Sequence, residues 1–279
     1  MKKAILTGIR KMQMTDAEEP SLKGANDVKI RLSSIGVCGS DIHYYAEGKI
    51  GTQVVSYPFA VGHECSGIIE EAGEEVTNLK VGDLVVVDPA VHCGECDQCL
   101  AGRPHTCRNN RFLGCPGQLE GCLSEYIVMP SFTCFPVTGK LNPVQAALIE
   151  PFSIGVYAVR LAHPENTGVS AAIFGAGPIG LSILLKLGAD GIKNVGMIEP
   201  LDYRLKKAAE LGARYLVHPG VENVAEKVKE QEEFLLDIVF EASGEQDAVD
   251  NALKILKPGG KLVLVGIPTS AQYTFDMDV

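Results

Sequence analysis

Four cysteines lie within CGECDQCLAGRPHTC, at Cys93, Cys96, Cys99 and Cys107. The spacing Cys-x2-Cys-x2-Cys-x7-Cys lets four thiolates wrap one ion inside a single loop, and tetrahedral Zn–S bonds of ~2.3 Å suit so compact a run. Two readings compete with zinc. Disulfides at two-residue spacing would close small, strained rings. An iron–sulfur run would carry a proline after its last cysteine, where this chain has Arg108. A four-thiolate zinc site is closed, so it holds a lobe together and does no chemistry. His92 and His105 flank the run and read as ordinary loop residues.

The chemistry must then lie elsewhere. GVCGSDIHYY at 36–45 and GHECSG at 62–67 supply Cys38, His63 and Glu64: one sulfur, one nitrogen and one oxygen donor. Three protein ligands leave a position open for water or substrate, as a catalytic zinc requires. Spacing alone does not separate this trio from a chance thiol and His-Glu pair.

A third stretch speaks of nucleotide. GAGPIG places Gly175, Gly177 and Gly180 around Ile179, after an expected strand and before an expected helix. The first glycine permits the tight turn, the second lets backbone approach a pyrophosphate, and the third lets helix and strand pack closely. The helix N-terminus then presents its positive end to the phosphates. Glu199 closes the next expected strand, nineteen residues after Gly180, where an acid takes the adenosine ribose hydroxyls. A carboxylate there disfavours the extra phosphate of NADP, although Arg204 lies one turn further on, so NAD is the expected cofactor. A doubly wound domain without nucleotide is the plainer alternative.

These groups need two kinds of scaffold. Residues 1–148 read as short strands over 28–32, 65–70, 84–87 and 124–128, punctuated by turns such as Lys80-Val81-Gly82-Asp83. That pattern predicts an irregular β-barrel with long functional loops. From 149 to 279 the grammar changes. Strands at 171–174, 195–198, 215–217, 236–240 and 261–266 alternate with helical stretches at 179–187, 201–211, 221–231 and 248–256, which predicts βαβ units and a parallel sheet. Helix propensity over 143–162 supplies the connection.

Composition narrows the partners. With 25 basic against 35 acidic residues, the net charge of −10 argues against nucleic acid or an anionic membrane. The most apolar run, 171–187, is broken by glycines and Pro178 and carries Lys186, so it falls short of a membrane span. MKKAILTG has no apolar stretch of signal-peptide length after its lysines. A cytoplasmic location is expected, and a reducing compartment disfavours disulfides among the nine cysteines. Cys65, Cys115, Cys122 and Cys134 read as small buried hydrophobes, and His163 and His218 as structural.

Taken together and in order, GVCGSDIH, GHECSG, the four-cysteine lobe, IEPFSIG and GAGPIG resemble the zinc-dependent medium-chain dehydrogenase/reductases, most closely their sorbitol (polyol) dehydrogenase branch. The resemblance covers essentially the whole chain. It implies a GroES-like β-barrel catalytic domain and a Rossmann domain, with one catalytic zinc, one structural zinc and NAD in a cleft. On this resemblance Cys38, His63 and Glu64 match the zinc ligands. Glu150 matches a glutamate that approaches the metal or its water. Ser40 and His43 match the proton relay, and Tyr44 a substrate-facing tyrosine. Val265, Gly266 and Ile267 match the backbone that receives the nicotinamide.

The implied activity is oxidation of a polyol or related secondary alcohol to its ketone, in a homo-oligomer. Within the class, a glucose, threonine or other secondary-alcohol dehydrogenase is the rival. Outside it stands a zinc-stabilised nucleotide-binding protein without turnover. The family adds a sixth Rossmann strand and a returning segment after this point, so the C-terminal part is expected to be missing from this chain.

Overall fold

A computed structural model describes residues 1–268 and 272–275. The chain divides into two compact units, Met1–Glu150 and Pro151–Val279.

In the first unit, five antiparallel strands lie in the order Tyr126–Pro130, Asp27–Ile35, Cys65–Ala72, Leu84–Val87 and Cys134–Pro136. Val28, Ile30, Cys65, Ile69, Val85, Val87, Ile127 and Met129 fill the core behind them. The register slips between Lys29 and Ile30 and again between Leu32 and Ser34. Such irregularities bend a strand and raise its twist, which curls this sheet. A short hairpin, Lys2–Gly8 with Lys11–Asp16, precedes it.

One element departs from the sequence expectation. The pattern of strands and long loops expected for residues 1–148 names no helix here, yet Gly39–Glu47 is a helix that starts at Cys38 and ends on the left-handed Gly48. Cysteine is no ordinary helix cap, and nine residues show little periodicity, so the local signal is weak. What starts the helix is Asp41, whose Oδ2 reaches back to accept the Cys38 N–H at 3.0 Å.

The second unit is a five-stranded parallel sheet in the order Tyr215–Val217, Val195–Ile198, Ala171–Phe174, Leu236–Glu241 and Leu256–Leu264. Helices Pro178–Ala189, Asp202–Glu210, Val224–Gln231 and Gln246–Ile255 link the strands. The inner strands Ala171–Phe174 and Val195–Ile198 are apolar and buried throughout, as a parallel sheet covered on both faces requires. Two buried clusters divide its faces, one around Ile173, Met197 and Phe240, the other around Ala172, Ile198 and Val239. The last strand starts at Leu256, five residues before its expected Lys261. Among the described residues no helix is long and apolar enough to cross a membrane.

Candidate active site

Cys38 and the pair His63–Glu64 come from two separate elements. Cys38 stands at the start of the helix Gly39–Glu47, and His63 and Glu64 immediately precede the strand Cys65–Ala72. Folding brings one ligand atom from each within 4.8 Å of the others. His63 and Glu64 are buried and Cys38 is half-buried. Zinc bonds of roughly 2.0–2.3 Å from such soft and hard donors need only a small contraction of this trio. The donor set therefore fits the metal expected from sequence.

Two residues that sequence reasoning passed over build this arrangement. Asp41 is 3% exposed. Its Oδ1 accepts the Gly62 N–H at 2.9 Å and lies 3.9 Å from His63 Nδ1. A carboxylate beside a ligating histidine fixes its ring and raises its basicity. Phe112 meets the same ring edge-on, with centroids 5.4 Å apart. Gly36 is the second. Its N–H donates to Glu64 O at 2.7 Å, and a Cβ at Gly36 would stand 2.1 Å from Glu64 Oε2. Only glycine leaves the Glu64 carboxylate its place. Asp41 had a local signal, three residues after Cys38; Gly36 had none without its distant partner.

Burial dominates the electrostatics. It pushes the Cys38 thiol up, against hydrogen bonds from the Ser40 hydroxyl and backbone N–H that pull it down. Burial likewise raises Asp41 and Glu64, each opposed by His63. Glu150, at the start of the helix Ile149–Ala162, is pushed up to about 7, chiefly by burial, with His63 pulling down and Glu64 pushing up. A cluster of acids and a thiol that resist charging without a counter-ion is what a cation would relieve.

Ser40 and His43 share the Gly39–Glu47 helix with Tyr44. His43 Nδ1 lies 3.5 Å from Glu47 Oε1, one turn on. Tyr44 is packed rather than open: it is 4% exposed among Leu6, Val55, Phe59 and Val61, and its hydroxyl donates to Gln53 at 2.7 Å.

The four-cysteine lobe closes as its spacing suggests. Cys96 and Cys99 sulfurs are 3.5 Å apart, Cys96 and Cys107 are 3.9 Å apart, and Cys107 and Cys93 are 3.5 Å apart. The edge of a tetrahedron with Zn–S bonds of ~2.3 Å is about 3.8 Å, so these sulfurs already outline the cage. Backbone N–H groups of Cys93 and Asn109 point at the Cys107 sulfur, at 3.3 and 3.4 Å. Those of Arg108 and Cys99 draw the Cys96 thiol down to about 6. Donors aimed at sulfur favour the thiolate a metal needs. Arg108 grips Asp97 through two nitrogens, across the loop. Cys65, Cys115, Cys122 and Cys134 are buried, and all nine cysteines are unbridged.

The glycine motif leaves the strand Ala171–Phe174 and enters the helix Pro178–Ala189, whose N-cap is Gly177. Gly175 has φ +94° and packs on Ala242, whose oxygen a Cβ would meet at 2.9 Å. At Gly180 a Cβ would fall 1.8 Å from Gly175 O, while at Gly177 nothing lies within 4 Å. Two glycines are therefore demanded by packing and the middle one by open space, where a phosphate can approach backbone. Ile179 packs on the core beneath. Glu199 is 2% exposed, and its Oε2 accepts the Ala176 N–H at 2.8 Å, inside the motif itself. Its Oε1 accepts the Leu201 N–H at 3.1 Å, and Arg204 Nη1 stands 3.7 Å from Oε2. Val265, Gly266 and Ile267 follow the strand Leu256–Leu264 at the same end of the sheet. This cradle fits a dinucleotide.

The comparisons agree with the geometry. The alcohol dehydrogenase GroES-like domain matches residues 24–139, and the zinc-binding dehydrogenase domain matches residues 178–279. Sorbitol dehydrogenase of Bacillus subtilis (strain 168) is 35% identical over 270 residues, covering 96% of this chain and 76% of its own. The chain belongs to the zinc-binding dehydrogenase family. L-idonate 5-dehydrogenase of Vitis vinifera, another relative, is 35% identical over 274 residues, with 96% of this chain and 74% of its own covered. Among solved structures, an alcohol dehydrogenase of Escherichia coli CFT073 complexed with NADH superposes at a TM-score of 0.87. It is 29% identical and covers 98% of this chain and 79% of its own. The chain thus spans about three quarters of its relatives' length. As a family member it is a zinc-dependent oxidoreductase that passes hydride between an alcohol and a nicotinamide cofactor.

Proposed function

We propose that this chain oxidises a polyol or related secondary alcohol to the ketone with NAD, using Cys38, His63 and Glu64 to hold zinc. The observation that carries the proposal is the meeting of these three donors within 4.8 Å, with the half-buried Glu150 close enough to feel the charges of His63 and Glu64. A carboxylate donor at Glu64 fits the polyol reading, and the named activities of the sorbitol and idonate relatives support it.

When bound, zinc supplies a Lewis acid that lowers the pKa of a hydroxyl, and NAD supplies the hydride acceptor. The chain's own residues do the rest. Ser40, hydrogen-bonded to the Cys38 sulfur, takes the hydroxyl proton beside the metal site as it releases its own into the relay that ends at His43. His43, whose side chain is 28% exposed, passes that proton to solvent. Asp41 and Phe112 keep the His63 ring in place. Glu150, which the bound cation would favour as the carboxylate, eases ligand exchange at the open position. Tyr44 is packed among Leu6, Val55, Phe59 and Val61 and anchors the helix that carries Ser40 and His43. Glu199 takes the adenosine ribose hydroxyls, which favours NAD over NADP, and the backbone of Val265, Gly266 and Ile267 receives the nicotinamide.

We also infer a homo-oligomer in the reducing cytosol. Among the described residues the strand Leu256–Leu264 stands at the sheet's edge, which supports the homo-oligomer.

The test is turnover by the zinc-loaded protein with NAD across hexitols, pentitols and simple secondary alcohols, followed as reduced nicotinamide. The expected result is activity on polyols, lost in Cys38→Ser while the melting temperature holds. Activity confined to simple alcohols, or full activity in Cys38→Ser, overturns the assignment.

A further inference from the structure

The carboxyl end of the parallel sheet carries a buried acid that the chemistry above does not use. Glu241 closes the strand Leu236–Glu241 at 0% exposure, in register with Phe174 on one side and Leu264 on the other. Its backbone oxygen accepts the N–H groups of Val265 and Gly266, at 2.8 and 3.0 Å. Its Oε1 accepts Ser243 N–H at 2.7 Å, Gly244 N–H at 2.9 Å and the Ser243 hydroxyl. Its Oε2 accepts the Tyr273 hydroxyl at 2.9 Å. At 0% exposure the carboxylate is spent on the protein's own turns.

What it joins is informative. A Cβ at Gly244 would meet Ile267 O at 2.4 Å, and one at Gly266 would meet Gly244 N at 2.3 Å and Glu241 Oε2 at 2.5 Å. The turn after Glu241 and the turn through Gly266 therefore lie backbone against backbone. On the other side, Gly175 packs on Ala242. Three turns thus form one continuous edge, from the glycine motif to Ile267. With Glu199 one strand further out, this edge crosses three strand spacings, roughly 14 Å, a span suited to an extended dinucleotide.

Residues 272–275 cross this end as a strap. The Gln246 side chain holds it like a paired strand: Nε2 donates to Thr274 O at 2.8 Å, and Oε1 accepts Thr274 N–H at 2.9 Å. Tyr273 adds the hydroxyl to Glu241 and lies 3.4 Å from Gly266 O.

We infer that Glu241 and Tyr273 are positioning residues for the nicotinamide: together they fix the backbone of Val265, Gly266 and Ile267, which must recognise the carboxamide without a polar side chain of its own. The inference rests on the NAD reading above. Burial, reinforced by the Glu241 carboxylate, pushes the Tyr273 phenol up, so it remains a donor. A backbone recognition site discriminates only if it is rigid, because its groups gain affinity by being held in advance. Removing the hydroxyl leaves Glu241 Oε2 short of a donor and frees the turn.

The experiment compares NADH with ADP-ribose, which lacks the nicotinamide, binding to the zinc-loaded protein and to Tyr273→Phe and Glu241→Gln. Titration by calorimetry and by the fluorescence of bound NADH reads both affinity and the environment of the ring. The expected result is an NADH Kd raised about tenfold in each variant, with ADP-ribose binding unchanged within about twofold. The emission of bound NADH shifts toward that of the free cofactor. Unchanged NADH binding, or equal losses for both ligands, overturns the inference. Equal wild-type affinity for the two ligands overturns it together with the nicotinamide assignment, whereas wild-type protein that binds neither fails the NAD reading itself.

Discussion

Asp41 Oδ1 lies 3.9 Å from His63 Nδ1 while the other oxygen of the same carboxylate accepts the Cys38 N–H at 3.0 Å. One buried acid thus ties together the two elements that bring the metal donors. Asp41→Asn keeps one of the two backbone acceptors, at Cys38 or Gly62, gives up the other and removes the charge beside His63. Zinc affinity at the Cys38 site is expected to fall 10–100-fold on the scale of such supporting contacts, approximately, with the fold retained. Competition with a chromogenic chelator measures it; unchanged affinity would show that Asp41 only caps the helix.

The glycine motif separates packing from binding. Gly177→Ala adds a methyl in open space, so the melting temperature is expected to hold while NADH binding weakens by roughly tenfold or more. Gly180→Ala drives a methyl into Gly175 O at 1.8 Å, and overpacking of this kind costs about 1–3 kcal/mol of stability. Thermal melts beside NADH titrations distinguish the two, and the reverse pattern would refute the roles given to these glycines.

For the four-cysteine lobe, Cys107→Ser removes a sulfur that two backbone N–H groups approach. The expected result is loss of one zinc per chain and new protease cleavage within 93–110. Arg108→Ala, which breaks only an exposed pair with Asp97, is expected to keep the metal. Elemental analysis and limited proteolysis report both outcomes.

Glu150 gives the metal-free protein a pH signature. Its carboxyl is raised from 4.5 to about 7, so folding favours the protonated form. This group's contribution is therefore complete below the unfolded value near 4.5 and is lost as pH rises through about 7. Chelator-treated protein is expected to lose stability across that window, and Glu150→Gln to flatten the loss. Adding zinc works in the opposite direction, because a cation favours the carboxylate. Denaturant midpoints against pH, with and without zinc, test the sign.

Much of this was legible in the sequence where the physics is local. The cysteine lobe is a loop of fifteen residues whose spacing already suits a tetrahedron. Gly175, Gly177 and Gly180 mark a turn whose sterics follow from the strand and helix around them. The βαβ alternation reads directly because fully buried parallel strands are continuously apolar. Three things were hidden. The helix carrying Ser40, His43 and Tyr44 begins on a cysteine and is stabilised by Asp41 rather than by periodicity. Gly36 matters only because Glu64, twenty-eight residues later, folds against it. Glu241 looks like the end of a strand until Ser243, Gly244 and Tyr273 converge on its carboxylate.

The most direct test of the account is zinc per chain, counted by elemental analysis on protein purified without added metal. Two per chain are predicted, falling to one in Cys38→Ser and to one in Cys107→Ser. A single zinc that survives Cys38→Ser and disappears in Cys107→Ser would mean that only the closed lobe holds metal. It would contradict the assignment of Cys38, His63 and Glu64 as the catalytic site.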